Sequence, residues 1–380
     1  MHVLVTGGAG FIGRHLVPIL LERGHAVSVI DSLTETVHGP DPQLSSSLTK
    51  DSRFVRADIR DTDAWSFLSD AAPDAVIHLA AETGVGQSMY EIRRYTDVNI
   101  QGTATMLDEL RSHGTDVGHF VLASSRAVYG EGSYHCETCG TVTPGPRTDE
   151  RLRRGMWEPV CPGCGADVTS VPTREDATRA PTSVYAMTKS AQEDLLGIVA
   201  PTLGATSSTL RYTNVYGEGQ PLTNPYTGVL SAFALRLVRG DGPKVYEDGN
   251  PTRDFVHVAD VARATALAVE SASTFTANVG SGERWTLRRV AGEQARVFGM
   301  ESDGIEVTGQ YRLGDIRAFL ADVAGAREAL AFAPEIDLEE GLRRLCRWVR
   351  EGADLPEADV AGRAEGQLRQ QGLLGVADED

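Results

Sequence analysis

Tyr185 and Lys189 close the run Tyr185-Ala186-Met187-Thr188-Lys189, at the head of a segment with helical patterning as far as Val199. Four residues are about one helical turn, so both side chains leave the same face. A phenol beside an ammonium is an acid/base pair, because the positive charge favours the phenolate and opposes an ordinary tyrosine pKa of about 10. Earlier in the chain, Ser124-Ser125 ends an apolar run and places a hydroxyl where it can hydrogen-bond a reacting oxygen. Between Ser125 and Tyr185 lie two Cys-x-x-Cys-Gly repeats, Cys136/Cys139 and Cys161/Cys164.

The elements that must position these groups follow an alternating order. His2 to Thr6 is a short strand-like run leading into Gly7-Gly8-Ala9-Gly10-Phe11-Ile12-Gly13 and then a helical pattern through Leu16, Ile19, Leu20 and Leu21. Strand, glycine turn and helix form the setting of a dinucleotide fingerprint: Gly7 for the tight turn, Gly10 for close approach of a pyrophosphate, Gly13 for helix packing. A second strand, Ala26 to Ile30, ends in Asp31, where a carboxylate can hold ribose hydroxyls and repel a 2'-phosphate, so NAD is preferred to NADP. Phe54 to Ala57 leads to Asp58-Ile59, suited to an adenine contact, and Ala75 to Ala81 reads as a buried strand whose end, Leu79-Ala80-Ala81, lets a flat cofactor lie close. A helix from about Asp97 to His113 and the strand His119 to Ala123 continue the alternation. The fold class is therefore α/β, a doubly wound parallel (Rossmann) sheet with ligands beyond the carboxyl ends of its strands.

The motifs TGGAGFIG (6–13), DIRD (58–61), HLAA (78–81), Asn99, SSRAVYG (124–130), YAMTK (185–189), LRYTNVYG (210–217) and RDFVHVAD (253–260) resemble the extended short-chain dehydrogenases/reductases, within them the nucleotide-sugar epimerase/dehydratase group. The resemblance spans residues 1 to about 350. It implies an NAD site made by Gly7, Gly10, Phe11, Ile12, Gly13, Asp31, Asp58, Ile59, Leu79, Ala80, Ala81, Asn99, Tyr185 and Lys189, with Ser125, Tyr185 and Lys189 catalytic. It also implies a nucleotide-diphosphate sugar bound by Asn214, Arg253 and Arg312, and hydride chemistry at the sugar C4 through a transient 4-keto intermediate. Dehydratases of the group carry Asp-Glu directly after the catalytic hydroxyl; here Arg126-Ala127 stands there, which favours 4-epimerisation over elimination of water. The segment Gln220 to Gly228 is expected to lie over the sugar nucleotide. With SSRAVYG and the cysteine insert, its NPYTG is most similar to dTDP-L-rhamnose 4-epimerase-like members, so a dTDP-hexose is the expected substrate class. Dehydration, decarboxylation or reduction of a nucleotide sugar, or a non-catalytic NAD-sensing module, are the competing readings.

The cysteine pairs sit in an insert, residues 131–172. Each glycine relieves strain where backbone amides face sulfur, and two such turns can close one four-thiolate zinc site of ribbon type, with Cys136, Cys139, Cys161 and Cys164 as ligands. Four thiolates leave no open coordination position, so the zinc is structural and orders a polar insert that has little core of its own. Both ends attach beside Ser125 and Tyr185, predicting a rigid wall of the sugar pocket.

The expected organisation is an NAD-binding domain over 1–210, to which 252–275 returns, a substrate-binding lobe over 211–251 and 276–350, and an acidic, weakly ordered tail over 351–380. A formal net charge of -17 argues against a nucleic-acid partner. The N-terminal sequence lacks a signal-peptide pattern, and no apolar run reaches the roughly 20 residues that span a bilayer, so a cytoplasmic protein without a membrane partner is expected. The resemblance implies a homodimer through the helices near 97–113 and 185–199.

Overall fold

The structure, a computed structural model, describes residues 1–222, 224, 228–300, 304–351, 355 and 360–378. Its centre is a seven-stranded parallel sheet built from β1 (His2–Thr6), β2 (Ala26–Asp31), β3 (Arg53–Arg56), β4 (Ala75–His78), β5 (His119–Ser125) and the later strands Thr206–Tyr212 and Phe275–Val279. The spatial order runs from Phe275–Val279 through Thr206–Tyr212, β5, β4, β1 and β2 to β3. The chain reverses direction across the sheet between β1 and β4, and a ligand crevice opens at that switch point.

Both sheet faces are apolar, and helices cover both. Leu16, Val17 and Leu20 of α1 (Gly13–Glu22) pack with Val261, Ala262, Ala264 and Ala268 of the helix Val258–Ser271 against Val3, Val5, Val29 and Val121. On the opposite face Met106, Leu107 and Leu110 of Gly102–Ser112 and Leu196 and Ala200 of Val184–Thr202 cover Leu4, Val76, Phe120 and Leu122. Full burial of each such large aliphatic side chain contributes about 1.5–3 kcal/mol. The helix anticipated from Asp97 has a π-helical turn, Asp97–Gln101, before Gly102.

A smaller lobe has its own core of Tyr216, Phe233, Phe255, Val290, Leu342 and Leu345 beneath the helices Val229–Val238, Leu287–Val297 and Leu338–Glu351. The division anticipated at residue 276 is displaced. Phe275–Val279 pairs in register with Ser208–Tyr212 in the main sheet, and Ala326, Leu330 and Phe332, from the helix Ala324–Leu330 and just beyond it, join the main core. A lone strand of five residues at a sheet edge carries too little patterning to reveal its partner.

The tail differs more. Val360–Gln370 is a helix, Leu374–Val376 pairs antiparallel with Gln310–Arg312, and Ala364, Leu368 and Leu374 are buried. Spaced i, i+4, Ala364 and Leu368 make a narrow apolar stripe that the surrounding Gly and charged residues conceal. The insert folds as Gly140–Val142, Tyr134–Cys136 and Thr169–Ser170 in one antiparallel sheet, with the short helix Asp149–Arg153 in the chain between Gly140–Val142 and Thr169–Ser170.

Candidate active site

The crevice at the switch point is lined by Gly7, Gly10, Phe11, Ile12, Gly13, Asp31, Asp58, Ile59, Leu79, Ala80, Ala81, Tyr185 and Lys189, together with His38, Ser124 and Gln220. Gly7 has φ +70°, and a Cβ there would stand 2.7 Å from the Ala80 backbone nitrogen, so the turn and the end of β4 approach too closely for any other residue. A Cβ on Gly13 would meet Gly8 backbone at 2.3–2.5 Å. No side chain caps the first turn of α1, which leaves backbone N–H groups and the positive helix end for an anion. Asp31 also holds the loop itself: Ala9 N donates to Oδ2 at 3.0 Å and Leu33 N to Oδ1 at 2.9 Å. The Asp58 carboxylate accepts from Arg60 Nε and NH2 at 2.9 and 2.7 Å, and this pairing holds its pKa below the ordinary value.

Asn99 lies outside this lining. It is fully buried, accepting from Glu82 N at 2.7 Å and donating to Glu82 O and Thr188 Oγ1 at 3.1 and 2.9 Å. It therefore ties the cleft wall after β4 to the helix carrying Tyr185 and Lys189. That helix starts at Ser183, whose Oγ accepts from Ala186 N at 3.1 Å, so Tyr185 sits in its first turn and Lys189 one turn further in.

Burial pushes the Tyr185 phenol above its ordinary value, while the neighbouring Ser125 hydroxyl and the Arg126 guanidinium pull it down. The anticipated lysine influence takes another form: Lys189 Nζ donates to Ala123 O at 2.9 Å, and burial lowers its pKa to about 7 with Glu193 opposing. Glu193, one further turn along, accepts from Arg211 Nε and NH2 at 2.9 and 2.7 Å and from Ser124 Oγ. The cation acting on Tyr185 is thus Arg126, a residue notable in the sequence only for displacing a carboxylate.

Arg126 also lines a second pocket with Asn214, Arg236, Lys244, Tyr246, Arg253 and Arg312. In a chain of strongly negative charge, this concentration of cations is a local exception. Asn214 Oδ1 and Arg312 Nε are buried without hydrogen-bond partners, the condition of groups shaped to meet a polar ligand. Arg253 donates NH1 and NH2 to the carbonyls of Thr252, Arg317 and Ile316 at 2.8–3.3 Å, which fixes its guanidinium at the pocket wall. Of the segment 220–228, Gln220, Pro221 and Asn224 border the first crevice and Gly228 the second pocket; residues 223 and 225–227 lie outside the described residues.

The four cysteine Sγ atoms lie within 4.8 Å of one another, with Cys136 Sγ and Cys164 Sγ 3.5 Å apart. A tetrahedral site with Zn–S bonds of about 2.3 Å needs sulfurs roughly 3.8 Å apart, so the cluster fits such an ion. Backbone N–H groups of Cys164 and Gly163 face Cys161 and lower its thiol to about 6. Among the described residues, none of 131–172 lines either pocket. The insert stands behind the substrate pocket instead of walling it: Arg147 pairs with Glu247, and Glu131 and Glu158 accept from Arg317.

The sequence profile of the NAD dependent epimerase/dehydratase family matches residues 3–149 and 163–280. The chain belongs to that family. Residues 150–162, between the two matched stretches, fall inside the cysteine insert. Among family relatives, the dTDP-L-rhamnose 4-epimerase of Burkholderia thailandensis is 39% identical over 356 residues, covering 93% of this chain and 96% of its own. The structure of UDP-glucose 4-epimerase from Thermotoga maritima with UDP-glucose superposes with TM-score 0.75 at 30% identity, covering 92% of this chain and 99% of that one. That of Thermus thermophilus UDP-glucose 4-epimerase with NAD gives 0.71 at 29% identity, with coverage of 93% and 100%. Among the described residues no helix is long and apolar enough to cross a membrane.

Proposed function

We propose that this chain is an NAD-dependent nucleotide-sugar 4-epimerase acting on a dTDP-hexose such as dTDP-L-rhamnose. The observation that carries the reading is the position of Tyr185: it lines the nucleotide crevice, with the Ser125 hydroxyl and Arg126 of the cationic pocket near enough to lower its phenol. A proton acceptor thus stands where the two ligand spaces meet. NAD, when bound, supplies reversible hydride acceptance at the sugar C4.

The chain's own residues do the rest. Gly7, Gly10, Gly13 and the open first turn of α1 hold the pyrophosphate, and Asp31 the ribose. Arg253, Arg312 and Asn214 hold the sugar diphosphate. Ser125 orients the sugar 4-hydroxyl, Tyr185 takes its proton and later returns it, and the charge of Arg126 favours the phenolate at that moment, with Lys189 held one turn further along the helix against the Ala123 carbonyl. The Arg126-Ala127 pair offers no carboxylate for eliminating water, which supports epimerisation over dehydration. Cys136, Cys139, Cys161 and Cys164 hold a structural zinc, and the protein works in the cytoplasm as a homodimer.

Incubation with UDP-, dTDP-, GDP- and CDP-sugars without added NAD, followed by NMR of the products, tests the reading. The expected product is the C4 epimer of a dTDP-sugar with cofactor retained. A 4-keto-6-deoxy sugar, carbon dioxide or stoichiometric NADH would overturn it.

A further inference from the structure

The C-terminal helix Val360–Gln370 bridges the two parts of the protein across the cationic pocket. On one side Tyr90, between the short helical turns Val85–Ser88 and Ile92–Thr96 that follow β4, donates its hydroxyl to Gln367 Oε1 at 3.3 Å. On the other, Leu374–Val376 pairs with the strand that carries Arg312, Leu374 opposite Arg312 itself. Earlier in the same helix than Gln367, Gly362 and Glu365 line the pocket.

Glu365 does more than border the space. Its Oε1 accepts from Tyr246 Oη at 2.8 Å, and Tyr246 in turn lies under the Arg312 guanidinium, 4.9 Å from ring centroid to Cζ, with NH2 3.5 Å from the phenol oxygen. Arg312 keeps a buried Nε without a partner. The pocket's other carboxylate beside Tyr246, Glu247, is already engaged by Arg147 and Arg317. Burial first, then Glu365, holds the Tyr246 phenol at about 12, so it remains a donor across the working range.

We propose that Glu365, brought in by the C-terminal segment, is a positioning residue for substrate binding: it fixes Tyr246, and Tyr246 fixes the guanidinium of Arg312 that meets the nucleotide diphosphate. This rests on the reading of the pocket as a nucleotide-sugar site. It makes the last part of the chain a component of that site. A carboxylate near an anion pocket by itself weakens anion binding; what Glu365 adds is its hydrogen bond from Tyr246, which preorganises the pocket.

The full-length, NAD-loaded protein is compared with Glu365→Ala, Glu365→Gln, Tyr246→Phe and the Ala/Phe double variant. Calorimetry measures binding of dTDP and UDP, and steady-state assays give KM and kcat for the nucleotide sugar. Glu365→Ala is expected to raise KM and the nucleotide Kd about tenfold, the loss of one hydrogen bond to a charged acceptor, with kcat within about twofold. Glu365→Gln, whose amide oxygen still accepts from Tyr246, recovers most of that loss. The double variant is no weaker than the poorer single variant, because both remove one linkage. Bound NAD and melting temperature report folding in each protein. Tighter nucleotide binding in Glu365→Ala, unchanged binding, or additive losses in the double variant would overturn the proposal. An epimerase with unaltered Glu365→Ala leaves the functional reading standing and removes this one; a wild type without epimerase activity whose nucleotide binding still depends on Glu365 does the reverse.

Discussion

Arg147, carried by the cysteine insert, donates NH1 and NH2 to the two carboxylate oxygens of Glu247 at 2.9 and 2.8 Å, and both side chains are buried. Glu247 follows Tyr246 directly, so the insert grips the loop that forms one side of the cationic pocket. Arg147 NH2 also donates to Asp315 O at 2.9 Å, close to Arg312 on the opposite side. Arg317 completes the network through Glu247, Asp248 and Glu158.

Removing one member of a buried pair leaves the other charged and desolvated, at a cost of about 3–5 kcal/mol. Because Arg317 still reaches Glu247, Arg147→Ala is expected near the lower end, roughly 3 kcal/mol in urea unfolding. Its KM for the nucleotide sugar rises while NAD affinity holds. Arg147→Lys keeps charge without the fork and recovers only part of both losses. Equal midpoints for wild type and Arg147→Ala would show that the network does not carry stability.

Metal analysis of the purified chain is expected to give one zinc per chain. Zinc binding by small four-ligand sites is worth about 10–16 kcal/mol, far more than a polar insert can recover by packing. Removal by a strong chelator, or Cys161→Ser, is therefore expected to open residues 131–172 to protease while the main sheet stays resistant, and to raise KM more than it weakens NAD binding. A metal-free protein with an intact, protease-resistant insert would contradict this.

How much of this was legible beforehand differs from feature to feature. The crevice was, because Gly7, Gly13, Asp31 and Ala80 act through steric and electrostatic demands that only a few residue types meet, and those demands show in spacing. Asn99, expected at the cofactor, is buried with its amide on Glu82 and Thr188 and does not line the crevice, and a motif position does not say which of two neighbouring surfaces a buried amide faces. Glu365, Tyr246 and Arg147 were invisible as site residues: their roles arise from contacts between distant segments, Tyr246 and Glu365 lying 119 residues apart and Arg147 and Glu247 100. The signal that could have found the tail was the Ala364/Leu368/Leu374 stripe, outweighed by acidic composition.

Tyr185→Phe removes the proton acceptor but keeps the ring's packing. Its kcat is expected to fall about 10²–10⁴-fold, the usual contribution of one general acid/base. Ser125→Ala, which loses a hydrogen bond to a reacting oxygen, is expected to fall roughly tenfold to a hundredfold. Both should retain NAD and unchanged melting. A Tyr185→Phe enzyme within a few-fold of wild type would remove Tyr185 from the chemistry.

Lys189 gives a signed pH prediction for the cofactor-free chain. Burial lowers its folded pKa to about 7 from an unfolded value of 10.5. Below pH 7 both states carry the proton, and the full penalty of burying the ammonium is present. Between about 7 and 10.5 the unfolded state binds more protons, so stability rises with pH, by up to ~1.4 kcal/mol per pH unit from this group. Lys189→Met has no such titration. Urea unfolding of both proteins at pH 7, 8 and 9 should therefore show the stability difference moving steadily in favour of wild type as pH increases. A difference that stays flat over that range would mean that Lys189 remains an ammonium in the fold, held by Glu193 and the Ala123 carbonyl more strongly than burial opposes it.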